Sequence, residues 1–164
     1  MSSNDSVENK NEVEKSSSSN IDSNKEIADT YTQNIVSKRD TMVDNYSIRF
    51  KILQLRTEIA SKNQMLDSKA FDNEIILTIL AGNDKIIEQH INKEDFKEFI
   101  PAEEMIYYQL SVFDFESYMN EEFCFFVNVC VPDTDICYTF NLFIDKNGKK
   151  RSVILEDEVE DDFL

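Results

Sequence analysis

The side chains of this chain with the greatest chemical reactivity are one histidine, His90, and three cysteines, Cys124, Cys130 and Cys137. A serine or cysteine nucleophile needs a base within hydrogen-bond reach, so a histidine-assisted pair in this chain has to use His90. His90 lies in a polar stretch with no catalytic motif around it. We therefore predict a surface histidine and a protein without enzymatic activity.

Metal and cofactor sites are not predicted either. The cysteines lack Cys-X-X-Cys spacing, which argues against zinc. The whole chain has two glycines, too few for a phosphate loop or a dinucleotide fingerprint. Asp133, Asp135 and the acidic run 156–162 lack the spacing and central glycine of a calcium loop. They are predicted to form a solvated turn and tail.

The cysteines and the first residues of the chain indicate the cellular compartment of the protein. All three cysteines lie in apolar predicted strands, where cysteine behaves as a small apolar residue, so reduced thiols are expected. No apolar run reaches the length of a transmembrane segment. The first residues have neither a basic region nor an apolar core of the secretory kind. These features predict a cytoplasmic protein.

The net charge is −16, with an isoelectric point near 4.3. Such acidity argues against nucleic acid and anionic membranes as partners. A basic protein partner fits it, and so does a role in solubility alone. Residues 1–44 are rich in Ser, Asn, Glu and Lys, which predicts a disordered arm. We expect a domain over 45–157 and an acidic tail over 158–164.

The segment that opens the predicted domain has two interpretations. Residues 46–52 alternate apolar and polar side chains, which predicts a strand with one buried face. The same region contains apolar residues at heptad spacing, which predicts a short coiled coil instead. The heptad positions are Ile48, Ile52, Leu55 and Ile59. We favour a strand over 46–55.

Short predicted strands separated by turns follow. A strand over 74–80 ends at the turn Gly82-Asn83, and 85–91 continues as a strand or a helix. Residues 105–115 alternate again, with Ile106, Tyr108, Leu110 and Val112 on one face.

The most apolar part of the chain is a meander near its C-terminal end. Residues 123–131 and 136–145 form its first two strands, and Asn147-Gly148 is the strongest short-range hairpin signal. Residues 150–155 return as a strand. Several strands at about this spacing indicate an all-β sandwich or barrel.

Four segments resemble the phosphodiesterase delta-subunit and uncoordinated-119 family, in that family's order. Tyr46-Ser-Ile-Arg-Phe resembles the opening strand, with Met65-Leu66 after a turn. Ile100-Pro101 resembles its Val-Pro segment, and residues 107–117 resemble the strand that follows it. Glu121-Glu122-Phe123 through Val131-Pro132-Asp133 resembles its Glu-Glu-aromatic strand, and Val153-Ile-Leu-Glu its late strand.

This resemblance implies an immunoglobulin-like antiparallel β-sandwich. It also implies a non-enzymatic solubilising factor that holds a prenyl or acyl chain of a lipidated client protein, such as a small GTPase, between its sheets. Each buried methylene contributes about 0.8 kcal/mol to such binding. By position, the implied slot is lined by Ile48, Phe50, Phe123, Phe125, Val127, Val129, Tyr138 and Phe140. The simpler interpretation is that these residues fill the core.

Two hypotheses therefore stand at this point. In the first, the chain is a lipid-binding sandwich. In the second, it is a protein-interaction or assembly subunit of α+β class, with a short coiled coil, a β-meander head and no ligand cavity. Residues 46–66 distinguish them, because a strand there favours the first and a helix the second.

Overall fold

A computed structural model describes residues 34–62 and 69–156. Within these residues the chain forms two antiparallel sheets of four strands each. Two 3₁₀ helices, Lys93–Phe96 and Met105–Tyr107, lie between the sheets in sequence. The strands are β1 (Ile35–Val43), β2 (Tyr46–Glu58), β3 (Phe71–Ala81), β4 (Asp84–Ile91), β5 (Gln109–Met119), β6 (Glu122–Cys130), β7 (Cys137–Asp145) and β8 (Lys150–Leu155).

Each sheet is a meander in which sequence neighbours pair. The strand order is β1-β2-β3-β4 in the first sheet and β5-β6-β7-β8 in the second. The predicted mainly β sandwich is therefore confirmed. Its connectivity is simpler than that of immunoglobulin domains, where Greek-key connections join strands of opposite sheets. The Gly82-Asn83 and Asn147-Gly148 turns lie where the sequence predicts them.

The sandwich begins earlier than the sequence indicates. Strand β1 lies inside the segment 1–44 that we predicted to be a disordered arm, so that boundary was wrong. Its middle reads Ser-Lys-Arg-Asp-Thr, which carries no apolar alternation. Pairing with β2 along nearly its whole length supplies the order that composition does not. Residues 1–33 and the tail 158–164 lie outside the described residues.

Strand β2 decides between the two interpretations of the region after residue 45. Tyr46–Glu58 is one strand, paired with β1 on one side and β3 on the other. The prediction of a strand over 46–55 is confirmed, and the coiled coil is wrong. The heptad spacing arose because Ile48 and Ile52 share the inner face of a strand, where spacing by four is also allowed.

Strand β5 shows a register that alternation alone does not predict. Shifts near Ser111 and Glu116 interrupt its pairing with β6. The residues opposite the inner face of β6 are consequently Leu110, Phe113, Phe115 and Tyr118. Our prediction that Ile106, Tyr108, Leu110 and Val112 share one face was wrong, because Ile106 precedes the strand and is 55% exposed, and Val112 pairs with outward-facing Asn128.

Candidate functional site

The eight side chains of the predicted lipid slot lie in or against the core. Seven of them are buried, with exposures between 0% and 4%, and Tyr138 is half-buried. The alternation of β6 therefore places its apolar side chains on one inner face, as expected. The buried seven are Ile48, Phe50, Phe123, Phe125, Val127, Val129 and Phe140.

Aromatic rings from the two sheets contact each other in the interior. Phe50 of β2 meets Phe113 of β5 with ring centroids 5.0 Å apart, and Phe113 stacks on Phe125 at 4.8 Å. At the hairpin end, Tyr46 of β2 contacts Phe123 of β6 at 5.1 Å. Rings at these distances are in direct packing contact. In this structure the predicted slot side chains are thus part of the packed core.

A surface cleft of about 430 Å³ lies at one end of the sandwich. Residues of both sheets line it, at the end where β2 and β6 finish and β3 and β5 begin. A volume of this size falls in the usual range of small-molecule sites. The lining consists of Gln54, Lys69, Ala70, Phe71, Gln109, Ser111, Cys130, Val131, Pro132, Asp133 and Thr134.

Some polar groups of this end cleft already form hydrogen bonds within the protein, whereas others are available to a ligand. The Gln109 side-chain amide donates to the Phe71 carbonyl at 2.6 Å, and the Ser111 hydroxyl donates to the Gln109 carbonyl at 3.1 Å. Within the described part of the chain, the ammonium of Lys69 and the carboxylate of Asp133 form no ion pair. One cation and one anion in the cleft are therefore available to a ligand.

A disulfide forms one wall of the end cleft. Cys130 and Cys137 are paired across β6 and β7 and are joined to each other, so the expectation of reduced thiols was wrong for these two. They close the connection that carries Pro132, Asp133 and Thr134. Sequence spacing did not reveal the pair, because a cross-strand disulfide depends on the register between two strands and not on a local motif.

The third cysteine differs from this pair. Cys124 is free and buried. Burial raises the pKa of its thiol above the ordinary value, with Glu116 adding to the effect. A thiol held protonated is a poor nucleophile at neutral pH.

The remaining sequence candidates lie apart from the cleft or on its rim. His90 is exposed on β4, with its Nδ1 3.0 Å from Glu74 Oε1. Asp133 has φ +60°, a turn conformation, and Asp135 follows it in the same exposed connection. Across residues 34–62 and 69–156, no group of three or more His, Cys, Asp or Glu side chains is placed to hold a metal ion.

A buried ion pair lies beside the cleft and joins three elements. Lys93 Nζ is 3.3 Å from Asp72 Oδ2, with both side chains nearly buried. The same Nζ donates to the carbonyls of Met105 and Tyr108, and Asp72 Oδ1 accepts from the Leu110 backbone N–H at 3.2 Å. We call Asp72 and Lys93 the end clamp. It fixes the start of β3 to the start of β5, and sequence analysis missed it.

Comparisons with known proteins give a family and no activity. A family model described as a domain of unknown function (DUF4738) matches residues 9–151. No curated protein matches the chain at a significant level. The resemblance to the phosphodiesterase delta-subunit family is not supported by this match and stays a prediction. In the part of the chain that the structure describes, no helix is long and apolar enough to cross a membrane.

Proposed function

The chain belongs to the family described as a domain of unknown function (DUF4738), and from its geometry we propose that it is a non-enzymatic binding module whose ligand site is the end cleft. The observation that carries this proposal is the cleft itself, which both sheets line and whose Lys69 and Asp133 form no ion pair with any residue that the structure describes. Among the described residues that line the cleft, no nucleophile–base pair accompanies these charges, which supports binding over catalysis.

The chemistry of the lining favours a polypeptide segment as the ligand. Gln54 supplies an amide, Phe71 an aromatic face and Pro132 an apolar ring, while Lys69 and Asp133 supply the two charges. A peptide offers complementary backbone groups and charged side chains, whereas an alkyl chain would leave these polar groups desolvated. This proposal keeps the protein-interaction role of the second hypothesis, but not its coiled coil, its α+β class or its lack of a ligand cavity.

The test is a selection of random displayed peptides on the full chain, followed by calorimetric titration of the selected peptides. Lys69→Glu, which reverses the charge in the cleft, is expected to weaken binding at least about tenfold. Lys149→Glu is the matched control, since it makes the same charge change on an exposed residue that does not line the cleft. Equal loss in both variants, or no loss in either, would place the ligand elsewhere.

The lipid-carrier hypothesis remains as a second candidate, supported by the apolar and aromatic interior. Because the interior side chains pack on one another, a prenyl or acyl chain has to separate the sheets before it binds. Titration of the protein with a fluorescent farnesyl or myristoyl peptide tests it. Absence of saturable binding at micromolar protein contradicts this candidate and a lipidated client as partner.

The predicted cytoplasmic location is weakened by the disulfide. Disulfides persist in oxidising compartments and are rare in the cytosol. We infer that the protein works where Cys130 and Cys137 stay oxidised. Thiol-blocking of the protein in its native cells, followed by reduction and a mass-shift label, should then report two masked cysteines, whereas three labelled thiols before reduction would restore the cytoplasmic prediction.

A further inference from the structure

The first strand, β1, presents an unpaired edge. It is the outermost strand of its sheet among the residues that the structure describes. Val36 and Met42 near its two ends are 60% and 70% exposed. A register shift interrupts β1 at Val36, and residues 37–43 pair with β2 without interruption. The outer edge of this regular part is a template for pairing with another strand.

The sequence of β1 is complementary to itself when a second copy runs antiparallel to it. With Arg39 placed opposite Arg39, Lys38 lies opposite Asp40, and Ser37 opposite Thr41. The exposed Val36 then lies near the exposed Met42. An antiparallel pair of identical strands is related by a two-fold axis, so each favourable pair occurs twice. We propose that a second copy of this chain docks on β1, forming a dimer whose two sheets join into one at this edge.

The charges of β1 fit this register. Lys38 and Asp40 share the outer face, because they pair with Lys51 and Arg49 of β2. Asp40 is 3.5 Å from Arg49 and its side chain remains 76% exposed, so it can accept a second cation. Within the described ranges the Lys38 ammonium has no ion pair, and in the dimer it would meet Asp40 of the other copy.

The basic character of this edge contrasts with the rest of the chain. Strands β1 and β2 contain five cations and two carboxylates, whereas the chain as a whole carries a net charge of −16. Two strongly acidic molecules repel each other least where their local charge is not acidic. One opposed pair, Arg39 with Arg39, disfavours the register. None of residues 36–42, which form the proposed contact, lines the end cleft, so this inference does not depend on the proposed function.

The experiment compares two charge-reversed variants, alone and mixed, by sedimentation velocity and native mass spectrometry. Lys38→Glu places Glu opposite Asp40, and Asp40→Lys places Lys opposite Lys38. Each reversal occurs twice in a symmetric dimer, so each variant alone is expected to dimerise at least about tenfold more weakly than the natural chain. An equimolar mixture restores opposite charges at both positions, and a heterodimer is expected.

Two further variants complete the design. Lys149→Glu is the control, because it makes the same charge change on an exposed residue outside the first sheet; dimerisation should persist. Arg39→Thr removes the like-charge pair and is expected to strengthen the dimer. This variant also keeps the test decisive if Asp40→Lys, which loses its Arg49 contact, fails to fold.

Three results would overturn the inference. The first is a natural chain that stays monomeric across the concentrations that sedimentation reaches. The second is a dimer that Lys38→Glu leaves intact. The third is a pair of folded variants that do not associate when mixed. Restoration in the mixture supports edge pairing, because loss of folding in either variant cannot be repaired by adding the other.

Discussion

At the scale of single residues, Gly148 is held by its neighbour across the sandwich. Its φ of +83° is a conformation that suits glycine, and the Gln89 side-chain amide donates to its carbonyl. A Cβ added at this position would lie 2.7 Å from Gln89 Nε2. The Gln89 amide is the end of a flexible side chain and can move away, but its hydrogen bond to Gly148 is then lost. Gly148→Ala is therefore expected to lower the free energy of unfolding by about 2–3 kcal/mol, the sum of backbone strain and the lost hydrogen bond.

The matched control for this prediction is Gly82→Ala. Gly82 has a similar φ of +62°, but nothing lies within 4 Å of an added Cβ. Backbone strain alone predicts a loss of about 1–2 kcal/mol there. Urea unfolding of both variants separates the two causes. Equal losses would mean that Gln89 moves aside at no cost.

The raised pKa values of two buried groups, the Cys124 thiol and the Tyr108 hydroxyl, predict how the free energy of unfolding changes at alkaline pH. Burial raises the pKa of the Cys124 thiol above its ordinary 9.0 and that of the Tyr108 hydroxyl above its ordinary 10.0. A raised pKa in the folded state means that the unfolded chain releases these protons more readily. The stability they contribute is complete below the ordinary values and is lost as pH rises through the folded-state values.

Urea unfolding between about pH 8 and about pH 11 should consequently show a progressive loss of stability. In the double variant Cys124→Ser, Tyr108→Phe, the slope of this loss is expected to be smaller than in the natural chain. An unchanged slope would assign the alkaline loss to other groups. Unfolding measured near pH 7 provides the reference, since both groups are protonated there.

At the scale of elements, the end clamp connects pieces that no strand pairing joins. Asp72 lies at the start of β3, while Lys93 lies in the first 3₁₀ helix and reaches carbonyls just before β5. Lys93→Met would leave the Asp72 carboxylate buried without a cation. Removing one partner of a buried pair costs about 3–5 kcal/mol, and we expect a loss of that size on urea unfolding.

The control is Lys150→Met. Lys150 Nζ is 2.7 Å from Asp95 Oδ1, but both side chains are partly exposed. An exposed pair contributes about 0–1 kcal/mol, so this variant should be little affected. If the two variants lose equal stability, the end clamp contributes no more to the free energy of unfolding than the partly exposed Asp95–Lys150 pair does.

The way in which each element is stabilised explains whether it could be predicted from the sequence. Strands β6 to β8 carry their own signal, because apolar alternation and the Asn147-Gly148 turn are local. Strand β1 has a polar centre and is ordered by β2, which local composition does not register. In β5 the register shifts reverse the faces, and alternation assumes that no shift occurs.

The candidate site was less predictable than the strands. Its lining comes from four strands and two connections that are distant in sequence. None of its residues has a motif of its own, since Gln, Lys and Asp are common on any surface. The residues that were predicted for a ligand are those with the strongest apolar alternation, and that property marks core positions first.

At the scale of the whole molecule, the disulfide is the one covalent link between strands that the described residues contain. Its cysteines are seven residues apart in sequence. Closing so short a loop stabilises a domain by about 2–3 kcal/mol through the unfolded chain. Replacing Cys130 and Cys137 by serine is therefore expected to lower the free energy of unfolding by that amount.

Reductant provides an independent check of this prediction. Dithiothreitol should lower the urea midpoint of the natural chain and leave that of the double serine variant unchanged. Cys124→Ser is the control, because it keeps the disulfide and should remain sensitive to reductant. A natural chain that is insensitive to reductant would contradict the contribution assigned to the bond.

The two consecutive meanders have a consequence for how fast the chain folds. Within each sheet every strand pairs with its neighbour in sequence, so each hairpin closes only a short loop. Contacts between distant residues are left to the docking of one finished sheet on the other. Since folding rates fall as the mean sequence separation of contacts rises, this sandwich is expected to fold faster than a Greek-key sandwich of equal length and stability.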